Sequence, residues 1–331
     1  MQLQSLPVSV KYSVWITRSW TIHEYVAARF VWFYTDDWKP YHDLGTSNHK
    51  YSPIVVEEIQ EATRLRPEIL HDLREELQPA AGRDVRRPED AAYSLLGLFD
   101  ISVPAKYGEG TKYAVGHLLE QIISRSGDVV VLDWIGNPGA YNSCLPGNLR
   151  PYSTTQHHVP SSVVNIPAYF PELDTGAIPL YKRLVALESP QMTDRRLRLP
   201  CFAFRVELEV VEAGVYRMKM GGLKDVEIRT IDDLSTMSKN LVLVHPWIRA
   251  LLDSSTPSTA VETPEGDGSN ERMKALQLAA RLRQDLGALL LREGSQKEYK
   301  RVAADASIRV QLLEDISFTR LLENIHVLGV V

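Results

Sequence analysis

Cysteine is scarce: Cys144 and Cys201 are the only two among 331 residues, and they stand far apart. Secreted domains carry a denser disulfide set, so a reducing, cytoplasmic setting is expected. Long apolar runs are missing too. No stretch approaches the ~18–20 apolar residues that span a bilayer. The start, MQLQSLPVSVKYSVW, has no basic lead into an apolar run, so neither a signal peptide nor a membrane anchor is expected. Positive charge is not in excess. With 37 Lys and Arg against 42 Asp and Glu the formal net charge is −5, which excludes a global field that would draw in nucleic acid or anionic membrane. Fixed-period repeats are absent as well. Partners must therefore be argued from sites.

What is present is ordinary material for a globular core, 44% hydrophobic and 24% charged. The length suggests two domains, 1–150 and 151–331. In the first, a helix is expected over 20–29, a buried aromatic strand over 30–34 (FVWFY), and a helix opening at Ser52-Pro53 with Val55, Ile59 and Ala62 as its apolar stripe. Another helix follows Pro67, through Ile69, Leu70, Leu73 and Leu77. A further one starts at Pro88 and faces inward through Ala92, Leu95, Leu96 and Phe99. Val115, Leu118, Leu119, Ile122 and Ile123 fit the helical template at every position, and a strand over 129–134 follows. The expectation is an α/β half, helices on a small sheet.

Beyond residue 150 the pattern turns β-rich. Strands are expected over 180–187, 201–211, 215–220, 226–230, 241–245, 286–291, 299–303, 308–312 and 327–331, with helices over 271–284 and 317–324. Glu212-Ala213-Gly214 reads as a hairpin turn, and 254–270 (SSTPSTAVETPEGDGSN) as a flexible loop, since it has too little apolar surface to offset its ordering entropy. This half is an α+β region.

Several residues invite chemical readings. Thr21 and Glu24 form a capping-box pattern, in which Glu24 reaches back to the Thr21 backbone N–H. Glu89 and Asp90 are a carboxylate pair, but two acids in a first turn are read as favouring their own helix start. Tyr107-Gly108-Glu109-Gly110 looks like a phosphate loop, yet it lacks the spacing of one and reads as a tight turn with Thr111 near the cap. His157-His158 has no acid or cysteine at metal-ligand spacing, so no metal is expected. Cys144 and Cys201 read as small buried residues. The aromatic run over 30–34 with Trp38 lacks the interleaved Lys or Arg of a base-stacking platform and reads as core.

Two segments carry a family resemblance. TRSWTIHEYVAARFVWFYTDDWK, from Thr17, and PEDAAYSLLGLFDISVPAKYGEG, from Pro88, resemble the two signature motifs of fungal heterokaryon-incompatibility (HET) domains, in the same order. Arg18, Trp20 and Thr21 match the first; Glu89, Asp90, Tyr93, Tyr107, Gly108, Glu109 and Gly110 match the second. Ser19, His23 and Ala91 depart from it. The resemblance covers about 14–135 and implies the C-terminal part of such a domain, since the family pattern extends upstream of its first motif. It further implies self/non-self recognition and programmed cell death, acting through other proteins and without a cofactor. HET domains resemble Toll/interleukin-1 receptor (TIR) domains, which implies an alternative: cleavage of NAD as substrate, with Glu24, one turn from Trp20, as the catalytic carboxylate. The capping role is preferred to catalysis for Glu24. A remnant without specific activity is a third reading.

Overall fold

The computed structural model describes residues 9–41, 48–63, 77, 85–153, 173–247 and 267–331. They divide into two compact units, Met1–Ile122 with Pro146–Thr155, and Ile123–Leu145 with Gln156–Val331. The division differs from a boundary at residue 150. Residues 123–145 join the second unit because their polar groups bond it: Gly136 N–H donates to Ala304 O at 2.9 Å, and Asn142 Nδ2 donates to Arg195 O at 2.8 Å and Val330 O at 2.9 Å.

The first unit contains α1 (Val14–Thr17), α2 (Trp20–Ala27), α3 (Pro53–Thr63), α4 (Asp90–Tyr93) and α5 (Thr111–Ser126) up to Ile122. All five apolar positions of the α5 template are buried, as their spacing requires. In α3, Val55 and Ile59 are buried, but Thr63 completes the stripe and Ala62 is exposed. α4 is a single turn, shorter than expected, and turns continue over 94–100. Ala92 and Leu95 are buried there, while Leu96 and Phe99 are half-buried. A small core gathers Val10, Ile16, Tyr25, Tyr41, Val55 and Ile59. Of the helix expected after Pro67, only Leu77 is among the described residues, and it is buried.

The strand expected over 30–34 does not form. Asn48 Oδ1 accepts the Val31 N–H at 3.0 Å, His49 Nδ1 accepts the Phe33 N–H at 3.0 Å, and the Val31 carbonyl accepts the His49 N–H at 2.9 Å. The Asn48 and His49 side chains thus take two N–H groups that a neighbouring strand would need. Val31 and Phe33 pack on the small core, but Phe30, Trp32 and Tyr34 are exposed, so the run is not core as expected.

The second unit contains β1 (Gln191–Thr193), β2 (Arg196–Arg205), β3 (Glu207–Glu212), β4 (Val215–Lys219), β5 (Val226–Arg229), β6 (Leu241–Pro246), β7 (Leu286–Glu293), β8 (Glu298–Val302), β9 (Ile308–Val310) and β10 (Ile325–Val330). Pairings run β2–β10–β8–β7–β6 and return to β2, closing a five-stranded ring. Only β10–β8 is parallel. β1 and β9 extend the ring, and β3–β4–β5 form a separate antiparallel sheet. Closure removes unpaired strand edges. Register puts Phe202, Phe204, Leu243 and Leu290 on one face, in a core with α6 (Ile178–Val185), α7 (Asp267–Leu282) and the small sheet. α8 (Phe318–Glu323) joins it through Phe318 and Leu321, capped by Ser317, whose Oγ accepts the Thr319 N–H.

Three expectations fail here. Residues 180–187 are not a strand: Leu180 and Leu184 are buried one turn apart with exposed Lys182 and Arg183 between, and Pro179 stands in the first turn of α6. The 129–134 strand is a 3₁₀ turn over Val130–Leu132, begun by Asp128 Oδ1 accepting the Val130 N–H at 2.8 Å. Of the flexible loop expected over 254–270, Asp267–Asn270 is the start of α7, and 254–266 lie outside the described residues.

Candidate functional site

In the first unit the residues of the second motif converge. Glu89 precedes α4 but does not cap it; Oε1 instead accepts the N–H groups of Gly108 and Gly110, each at 2.9 Å. This corrects, for Glu89, the expectation that the acid pair serves its own helix start; Asp90 does stand in the first turn. Both glycines have left-handed backbones, φ +95° and +81°, so the turn suits residues without a Cβ. Two such N–H groups ahead of a helix make a concavity for an anion. Here the anion is the protein's own carboxylate.

The rest of the network ties both ends of the motif. Tyr107 donates its phenol to Asp90 Oδ1 at 3.1 Å, and the Arg87 guanidinium sits 4.3 Å above the Tyr107 ring. Tyr93 donates to Glu109 Oε1 and accepts the Lys106 N–H at 3.1 Å. Glu109 Oε2 lies 3.2 Å from His117 Nε2, and Thr111 Oγ1 donates to Pro88 O at 3.1 Å. The Gly110 N–H above all, then the residue's own N–H and that of Gly108, hold the Glu89 carboxyl below the usual carboxylate range. Burial, with the Glu109 bond, pushes the Tyr93 phenol up to about 12. Neither group is matched to proton transfer near neutrality. The arrangement locks a turn.

Glu24 lies apart from this network in sequence and partners. It is exposed on α2 and accepts the Trp15 indole N–H at 2.8 Å. The capping box does not form: Thr21 N–H donates to Arg18 O at 3.3 Å, and the Thr21 hydroxyl donates to the Trp15 carbonyl. The preceding short helix α1 offers that carbonyl and that indole, so both polar groups bond it and not each other. Trp20 is half-buried and Arg18 exposed.

Cys144 and Cys201 are buried free thiols. Desolvation pushes the first up to about 11 and the second higher still, far from the thiolate form that reacts. His157-His158 lies outside the described residues. Among the described residues no group of three or more His, Cys, Asp and Glu could hold a metal, and no helix is long and apolar enough to cross a membrane. Arg87 and His117 escaped the sequence reading. Arg87 adjoins the motif; His117 lies beyond it on α5, and no local spacing links it to Glu109.

No family model matches the sequence, and no solved structure matches it. Among curated proteins the chain is similar to the vegetative incompatibility protein HET-E-1 of Podospora anserina, 32% identical over 108 residues. That stretch is 33% of this chain and 8% of the length of that protein.

Proposed function

We propose that the chain is an interaction module of fungal vegetative incompatibility, in which contacts with other proteins carry self/non-self recognition toward cell death. The observation that carries this reading is the 32% identity over 108 residues to a protein named for that process. Two features of the first unit support contact over catalysis. Glu89, Asp90 and Glu109 are engaged by the protein's own N–H, phenol and imidazole groups. Trp32, Tyr34 and Trp38 are 47, 51 and 83% exposed along one short segment, and exposed Trp and Tyr are what interface hot spots are made from.

Inducible expression of the full chain in a fungal host tests the reading. Growth arrest is expected, and a harmless, well-expressed protein overturns it. Incubating the purified chain with NAD, beside Glu24→Ala, tests the catalytic alternative. The interaction reading expects NAD unchanged with both proteins; loss of NAD with the unsubstituted chain alone replaces it.

A further inference from the structure

The second unit holds a cavity of about 210 Å³ that none of the motifs touches. It lies between residues 129–135 and the β6–β7–β9 side of the ring, and the sequence reading gave no sign of it. Its walls are mainly apolar, with Val129, Leu132, Trp134, Leu289 and Ile308 among them. The size falls below the ~300–1,000 Å³ of drug-sized sites, so an occupant is small.

Gly287 makes the room. It stands inside β7 in the run Leu-Gly-Ala-Leu-Leu-Leu, lines the cavity, and has no left-handed backbone that would require glycine. A Cβ built there meets nothing within 4 Å. A glycine inside a strand weakens it, and one reason for it is the close approach of another group. His245 makes one such approach, its Nδ1 2.7 Å from the Gly287 carbonyl oxygen, but no protein atom fills the space a Cβ would take.

The polar lining is not neutral. Arg301 and Arg309 both line the cavity, against Asp133 as its one acid; His245, also in the lining, is held toward its neutral form by burial. Arg301 is committed to the wall: Nη1 donates to Leu132 O at 3.0 Å and Nη2 to Trp134 O at 2.7 Å, with the guanidinium 4.2 Å above the Trp134 ring. Arg309 is half-buried beside Gly287 in the β7–β9 register partnership. A guanidinium at the edge of an apolar cavity matches a carboxylate carried on a hydrocarbon body.

We propose that this cavity binds a small amphipathic organic anion, its hydrocarbon part against Leu132, Trp134 and Leu289 and its carboxylate on Arg309. The proposal does not rest on the incompatibility reading, since it is argued from the cavity's lining residues alone. Octanoate is the test probe and octanol its uncharged counterpart, both titrated calorimetrically into the full chain. Saturable one-to-one binding of octanoate is expected. Gly287→Leu, whose side chain fills the open space, abolishes it. Arg309→Gln weakens octanoate about tenfold or more, as loss of a hydrogen bond to a charged group implies, and leaves octanol unchanged. Magnetisation transfer from the octanoate methylenes to the Trp134 indole, in the unsubstituted protein, locates the ligand without relying on any variant's folding. No octanoate binding at millimolar concentration, or no transfer to Trp134, overturns the proposal. Equal affinity for octanoate in Gly287→Leu overturns it as well, and octanol bound as tightly as octanoate overturns the assignment of an anion.

Discussion

Glu89 in the first unit and Arg301 in the second solve one problem with opposite charges. Each is buried, and each spends its charge on backbone groups of an irregular segment. Glu89 accepts the N–H groups of Gly108 and Gly110; Arg301 donates to the carbonyls of Leu132 and Trp134. Buried backbone polar groups outside regular structure need partners, and a charged side chain provides the strong ones. The settings differ. Arg301 stands on β8, a strand of the closed ring, on the face opposite the one that Leu290 and Val302 turn to the large core. Glu89 stands at the start of a one-turn helix whose neighbours are other polar side chains. The same device is a clasp on a rigid frame in one unit and a main fastening in the other.

Substitution at each position separates these roles. Arg301→Leu is expected to have the largest effect, a loss of about 3 kcal/mol, because two charge-assisted bonds vanish and two carbonyls are orphaned. Arg301→Lys recovers only part of it, since an ammonium lacks the planar fork that reaches both oxygens. Urea unfolding followed by circular dichroism reads both. Equal stability in all three proteins would break the clasp interpretation.

Glu89→Gln is expected to act through pH. The native carboxyl is held low by the Gly110 and Gly108 N–H groups, so its contribution is complete above the unfolded value of about 4.3 and is lost as pH falls through the lower native one. The gap in urea midpoint between the unsubstituted protein and Glu89→Gln is therefore widest above about pH 5 and closes on acidification below about 4. A gap constant from pH 7 to 3 refutes a role for the charge. Tyr107→Phe removes a neutral donor from Asp90 on a half-exposed ring, and about 0.5 kcal/mol is expected. A loss as large as that of Arg301→Leu would make the phenol, not the Glu89 carboxylate, the main fastening.

The two units were unequally legible. In the second, β4, β5, β6, β7, β8 and β10 form where their alternating apolar and aromatic residues announce them, because each turns at least one apolar side chain to a common core. Ring closure was not legible: it depends on β2 pairing with β10 through Leu197–Phe202 and with β6 through Cys201–Arg205, and no local pattern states that. In the first unit α5 was plain from its five apolar positions. FVWFY misled because aromatic content favours strands only where a neighbour offers free backbone, and Asn48 and His49 had taken it. The 129–134 segment misled likewise, since Arg301, more than 160 residues away, takes its carbonyls. At the candidate site the motif residues were all visible, but their pairing was not: Glu89 looked like a first-turn acid favouring the helix beside it and serves the glycine turn ahead of the next.

The smallest effect on folding and the largest on the proposed role should coincide at Trp38. It is 83% exposed with a left-handed backbone at φ 59°, uncommon for a bulky residue and tolerated only where surroundings hold it. The turn does hold it: Thr35 N–H donates to Lys39 O at 2.9 Å, Trp38 N–H donates to Thr35 O at 2.9 Å, and Lys39 Nζ lies 2.6 Å from Asp37. The ring meets that of Tyr34, centroids 6.3 Å apart, and at 83% exposure little of its surface is removed from water. Trp38→Ala then costs the fold almost nothing, within the ±0.5 kcal/mol of ordinary surface changes. Trp38→Gly, which relieves the backbone strain, leaves stability equal or slightly raised. Both are expected to abolish growth arrest on induced expression while thermal melts overlay those of the unsubstituted chain. Arrest that persists with both variants moves the contact surface away from this turn, and a large drop in melting temperature would show that the ring supports the fold instead of facing a partner.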